Sequence, residues 1–255
     1  MRFIKELANR NPTLFWLGNL SFIGFIIFLI LFFIDARTIG NINNWVKPIK
    51  FTTTLWIYSW TLAWILEELP SKKFVKLSSK GIFLFMFLEV SLIVMQASRG
   101  VASHFNVTTA FDGLIFSFMG ILILMNTFIL IWITIRFFKL KNANAYDWGI
   151  RLGLVILILA SAEGGYMASK LSHAVNAPNE GIGLPFLGWS KAGGDLRIAH
   201  FLGIHALQFL PLIGWQIKKL NLKNPIMLTC LLALLYGIMV CYFFYQAILG
   251  IPILS

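Results

Sequence analysis

The sequence predicts an all-α membrane protein: a bundle of seven transmembrane helices, N-terminus cytoplasmic and C-terminus extracytoplasmic. Three observations carry this. First, 58% of the 255 residues are hydrophobic and only 12% are charged, against about 25% charged in a soluble domain. So little charge cannot cover a polar surface, and a lipid bilayer must solvate the chain. Second, the apolar residues gather into seven runs, at 14–34, 51–66, 81–97, 113–135, 150–169, 196–215 and 226–249. Each approaches the roughly 20 residues that a span needs, the second and third being shortest. Third, the basic residues alternate in density from loop to loop: fourteen of the 21 Lys and Arg fall on the side of the N-terminus, which marks that side as cytoplasmic.

The runs are helices because backbone groups in lipid must be satisfied internally, and none shows the alternation of a barrel strand. Residues 1–255 therefore form one integral membrane domain. The first run follows MRFIKELANRNPT and ends at Asp35-Ala36-Arg37 without a small-residue cleavage site, so it reads as an uncleaved span. Lys72, Lys73, Lys76 and Lys80 precede the third. Arg136, Lys139 and Lys141 separate the fourth from the fifth, with Arg151 at the head of the fifth, and Lys218, Lys219 and Lys223 separate the sixth from the seventh. The net charge of +11 is thus spread over topology-setting loops that face anionic lipid, which argues against a nucleic-acid partner. Cys230 and Cys241 share the last span, about 16 Å apart along a helix, too far for a disulfide.

The loops on the other side differ. The first, DARTIGNINNWVKPIKF, brings Lys47 and Lys50 to the membrane, and the second holds Arg99, Ser103, His104 and the sequon Asn106-Val107-Thr108. The third, rich in Gly and Pro, reads as a folded-over cap. All four histidines, His104, His173, His200 and His205, lie at this side. At about 100° per residue, Glu89, Gln96, Arg99 and Ser103 share one face of the third span. Glu163, Tyr166, Lys170 and His173 share one of the fifth, and Arg197, His200, His205 and Gln208 one of the sixth. Ionisable residues in spans face a bundle interior or water. The expectation is an outward polar cavity between the third, fifth and sixth spans, with Lys47 and Lys50 at its mouth, open to a small-molecule ligand.

Imidazole is the commonest metal ligand, so the leading expectation is a transition metal ion or haem. His200, His205, His104 and Glu163 are the metal candidates. For haem, His200 or His205 would pair with His104 or His173, and Arg99, Arg197, Lys47 and Lys50 would meet the propionates. Spacing does not fix this, because His200 and His205 are five apart rather than four. The alternative is a small-solute or proton-coupled transporter working through Glu89 and Glu163. Against it stand the apolar stretches GIFLFMF and LIGWQ in the cytoplasmic halves of the third and sixth spans. A sensor or assembly factor, or an enzyme acting on lipid or quinone, would use the same cavity. Whether the chain is an enzyme stays open, and no Ser-His-Asp or Cys-His pattern points to covalent catalysis. The bland readings are ion pairs Glu89–Arg99 and Glu163–Lys170, Asp195 as helix cap after a Gly193-Gly194 turn, and Gly164-Gly165 as a close-packing site.

No lysine in the last span offers a retinal Schiff base, and the histidine spacing departs from that of the seven-span hydrolases resembling alkaline ceramidase. The stretches NNWVKPIKF, QASRGVASHFN, LPFLGWS and GGDLRIAHFLGIHALQFLP together resemble a family of uncharacterised bacterial multi-pass inner-membrane proteins. The resemblance implies a location in the bacterial cytoplasmic membrane and no particular activity.

Overall fold

The computed structural model describes residues 2–179, 183–184 and 187–254. The chain divides into two compact units, Met1–Ile129 and Leu130–Ser255. Six helices are long and apolar enough to cross a membrane: Pro12–Ile34, Lys72–Ser98, Ala110–Phe138, Ala145–Lys170, Arg197–Lys219 and Pro225–Ile248. They agree with a multi-pass helical bundle in a lipid bilayer.

The first unit opens with a helix that the hydropathy pattern does not reveal, α1 (Arg2–Arg10). Its buried contact is Leu7, too little apolar surface to register as a span. Asn11 then caps α2 (Pro12–Ile34) by accepting a bond from the Leu14 N–H, and Pro12 supplies the preset φ of a first helical residue. Asn11 also donates to Ser79 Oγ at 2.7 Å, tying this junction to the start of α4. A short hairpin, β1 (Thr38–Ile39) with β2 (Ile42–Asn43), leads into α3 (Val46–Ile65). Asp35 pins the hairpin: its carboxylate accepts bonds from Arg37 and from the Trp45 indole. The Arg37 bonds, then Trp45, hold the Asp35 carboxyl well below its usual range.

α3 begins five residues before the expected 51, because Pro48 falls in its first turn, where a missing N–H costs nothing. Lys47 and Lys50 therefore belong to α3 and not to the loop. α3 has the length of a span, about 30 Å for 20 residues. Its threonines, Tyr58 and Ser59 keep it outside the six strongly apolar helices. A 3-10 turn (Leu66–Glu68) follows, then α4 (Lys72–Ser98) and α5 (Ala110–Phe138), whose residues to Ile129 complete the unit. α2 packs on α3, and α4 on both.

In the second unit α6 (Ala145–Lys170) starts from a capping box in which Asn144 and Asp147 bond each other's backbone. α7 (Arg197–Lys219) and α8 (Pro225–Ile248) follow. The seam between α6 and α7 consists of small residues at helical spacing. A Cβ on Gly203 would lie 2.4 Å from Ala160 Cβ, and one on Gly149 or Gly214 would strike the Leu210 or Ala145 carbonyl. Backbones this close are how helices bind in lipid, where hydrophobic drive is weak. Gly164 belongs to the seam, against the His200 ring, while Gly165 faces open space. α7 continues through Pro211, which is buried at the seam.

The loop from α6 to α7 forms no helix among its described residues; β3 (Ala174–Val175) pairs with β4 (Gly194–Asp195). Glu180–Ile182 and Pro185–Phe186, within the expected cap and the LPFLGWS stretch, lie outside the described residues. Gly193 serves this pairing, since a Cβ there would meet the Val175 carbonyl at 2.5 Å. Gly193 closes a bend at 191–193 and Gly194 begins β4, so the expected turn lies at the entry to this pairing.

Candidate functional site

The candidate residues fall into two sets. Lys47, Lys50, Glu89, Gln96, Arg99 and His104 belong to the first unit; Glu163, Tyr166, Lys170, His173, Arg197, His200, His205 and Gln208 belong to the second.

In the first unit the centre is Glu89, one-third of the way along α4 from its C-terminal end. It is 1% exposed, and neither carboxylate oxygen has a hydrogen-bond partner. His104 Nε2 stands 3.8 Å from Glu89 Oε1, and Lys47 acts on the carboxylate electrostatically. His104 Nδ1 lies 3.2 Å from Ser103 Oγ. Its ring is walled by Phe51 at 5.8 Å and by Phe105 and Phe116, each at 6.2 Å. Four elements thus converge: α3 through Lys47 and Phe51, α4 through Glu89, the α4–α5 loop through His104, and α5 through Phe116. A buried carboxylate without hydrogen bonds is costly; a proton or a ligand's donor group would satisfy it.

Beside this centre Gln96 and Asp112 are buried and joined at 2.9 Å, and Arg99 reaches Asp112 at 2.6 Å. The expected pair Glu89–Arg99 is replaced by Asp112–Arg99, so Glu89 has no arginine to neutralise it. Asp112 is on the next helix, where sequence gave it no obvious partner. Ser103 lies beyond the end of α4, in the loop, and not on the helical stripe. Asn106, the sequon residue, is buried and bonded to Ala102 and Thr108, so it closes a turn and offers no open glycan site.

Further buried polar groups step along the same unit toward its other end. Thr52 and Ser59 lie on α3, about 10 Å apart by helical rise. Tyr58 meets Asn126 of α5 at 3.3 Å, and Ser79 and Asn11 follow. Ser59 Oγ is fully buried with no hydrogen bond. Sequence reasoning missed this series because it followed charges and histidines. The signal was present in the hydroxyl-rich α3, TTTLWIYSWT.

In the second unit Asp195 organises the α6–α7 loop. It accepts from Ser190 N at 2.8 Å, Arg197 N at 3.0 Å and Arg197 Nε at 2.9 Å. His173 Nδ1 lies 3.8 Å away. The expected cap role is met in altered form: Leu196 holds the cap position, and Asp195 bonds the first helical N–H beyond it. Burial alone would raise the Asp195 carboxyl; Arg197 and Ser190 outweigh it and hold it below the usual carboxylate range.

His200 and His205 turn to different partners. His200 Nδ1 donates to the Ala160 carbonyl at 2.7 Å, while His205 Nδ1 bonds Gln208 at 3.1 Å and its ring stands against Phe201. Lys170 lies over the Tyr166 ring, 5.8 Å from its centroid, in place of the expected pair with Glu163. Glu163 Oε2 is buried without a hydrogen bond. Among the described residues no three His, Cys, Asp or Glu side chains converge as a metal site. Within the second unit Glu163, His200 and His205 therefore do not gather as a coordination sphere. Cys230 and Cys241 are free thiols.

Comparison with known protein families, curated proteins and solved structures finds no match to this chain, so its identity stands at what the helices themselves support: a multi-pass membrane protein.

Proposed function

We propose that the chain is a seven-span protein of a bacterial inner membrane, N-terminus inside, with α3 as the seventh span. Its function is proton-coupled movement of a small solute through the first unit. Glu89 is the proton-binding group, His104 exchanges protons with it at the outer end, and Lys47 sets its charge balance. The observation that carries this reading is the fully buried Glu89 carboxylate, unbonded and facing His104. The series Thr52, Ser59, Tyr58–Asn126 and Asn11–Ser79 supports it, because it supplies polar groups where the apolar stretch GIFLFMF argued against a path. Intramembrane acids paired with histidine are the usual parts of proton relays.

The test is proton movement into pyranine-loaded proteoliposomes under a potassium diffusion potential, with and without a panel of small amines, carboxylic acids and sugars. The expected result is a flux in the native protein that falls at least tenfold in Glu89→Gln. Equal flux in both, or none in the native protein under any condition, would overturn the reading.

A second reading keeps the metal or haem expectation, on one observation. Since Nδ1 of His200 donates to a carbonyl, its Nε2 carries the lone pair, the arrangement of a ligating histidine. A purified preparation with a Soret band or stoichiometric metal, lost in His200→Ala, would support it; a colourless, metal-free and functional protein would not.

A further inference from the structure

We propose that α1 and the first two turns of α4 form a binding surface for anionic phospholipid headgroups. This rests on features at the opposite end of the first unit from Glu89 and is independent of the proton reading.

α1 is seated firmly. Leu7 is fully buried, Phe3 stacks on Trp64 at 5.4 Å, and Arg10 lies over the Trp64 ring at 4.1 Å while donating to the Trp64 carbonyl. The bond from Asn11 to Ser79 joins the residue after α1 to the third turn of α4, and the 3-10 turn links the two helices through Arg10–Glu68 and Glu67–Lys72. α4 has 27 residues, about 40 Å, against a hydrocarbon core of about 30 Å. Roughly two turns therefore project from the core, and they carry Lys72, Lys73, Lys76 and Lys80, all exposed. Arg2 and Lys5 stand exposed on α1.

The nearby acids are already engaged: Glu6 and Glu68 with Arg10, Glu67 with Lys72. Arg2, Lys5, Lys73, Lys76 and Lys80 have no carboxylate partner among the described residues. These cations alternate with exposed apolar side chains: Phe3, Ile4, Trp16 and Leu77. A nucleic acid or an acidic peptide would leave those side chains in water. The boundary between headgroups and acyl chains takes both, as it does for interfacial amphipathic helices. Each cation near an anionic lipid surface strengthens binding roughly fivefold.

The test titrates the full chain, in neutral detergent, with dioctanoyl phosphatidylglycerol and with dioctanoyl phosphatidylcholine, following thermal unfolding. Phosphatidylglycerol is expected to raise the melting temperature and phosphatidylcholine not. In Lys5→Gln/Lys73→Gln/Lys76→Gln the half-saturating concentration should rise roughly 100-fold. The matching triple Lys→Arg variant should bind as the native chain does. Should the Gln triple fold poorly, the native chain decides: the phosphatidylglycerol shift must shrink as sodium chloride is raised. Equal shifts from phosphatidylcholine or inorganic phosphate, indifference to salt, or undiminished binding by a folded Gln triple would each overturn the proposal.

Discussion

At the scale of single residues, an acid's role here follows from its partners. Asp195 is buried yet fully bonded, to Arg197 and to Ser190 N, and so remains a charged structural pin. Its folded pKa is depressed, so its contribution is complete above the unfolded value of about 4 and is lost as pH falls below it. Asp195→Asn is expected to cost about 1–3 kcal/mol at neutral pH, because Arg197 loses its anion. It should also flatten the acid limb of a melting-temperature profile taken from pH 7 down to pH 3. Glu89 is the opposite case, buried and unbonded. Its presence was legible in the sequence as an acid inside a span; its solitude was not, because the arginine that the spacing assigned to it bonds Asp112 across a loop. Helical phase places residues on a face, but pairing across a turn depends on where the helix stops. His200 and His205 lie within one unbroken helix, five residues and about 140° apart, so one faces Ala160 and the other bonds Gln208.

At the scale of elements, small residues decide the packing of α6 on α7. Gly203→Val is expected to lower stability by about 1–3 kcal/mol or more, since Ala160 and the α6 backbone leave no room. Gly120→Ala on α5 meets nothing within 4 Å and is expected to be neutral or stabilising by up to about 1 kcal/mol. Melting temperatures of the two variants in one detergent check both. Six of the helices were legible as apolar runs, with ends misplaced by up to nine residues. Helices continue past the hydrocarbon boundary that hydropathy detects, as α4 does through its lysines. α3 was found by its shorter run, but its start was hidden by Pro48, which reads as a breaker and here sits in the first turn. α1 escaped because nine residues with one buried leucine give no membrane signal.

At the scale of the whole molecule, the proposed topology places the termini on opposite sides, which requires α3 to cross. A green fluorescent protein fused to the N-terminus should fluoresce in the cytoplasm, and alkaline phosphatase fused to the C-terminus should be active outside it. Termini on the same side would mean that only the six strongly apolar helices cross. The multi-pass helical class of the protein was legible from composition and its apolar runs alone. The occupant of its polar groups was not, because histidines assigned to one side of a membrane say nothing about convergence, and no metal-like cluster forms among the described residues. What the structure adds is the contrast between Glu89, fully buried, without hydrogen bonds and 3.8 Å from His104, and Glu163, half-buried with one oxygen unbonded. The most direct measurement is therefore proton flux in proteoliposomes of the native chain, Glu89→Gln and Glu163→Gln, compared side by side. The account expects Glu163→Gln to retain flux and Glu89→Gln to lose it; the reverse order, or flux indifferent to both, would contradict it.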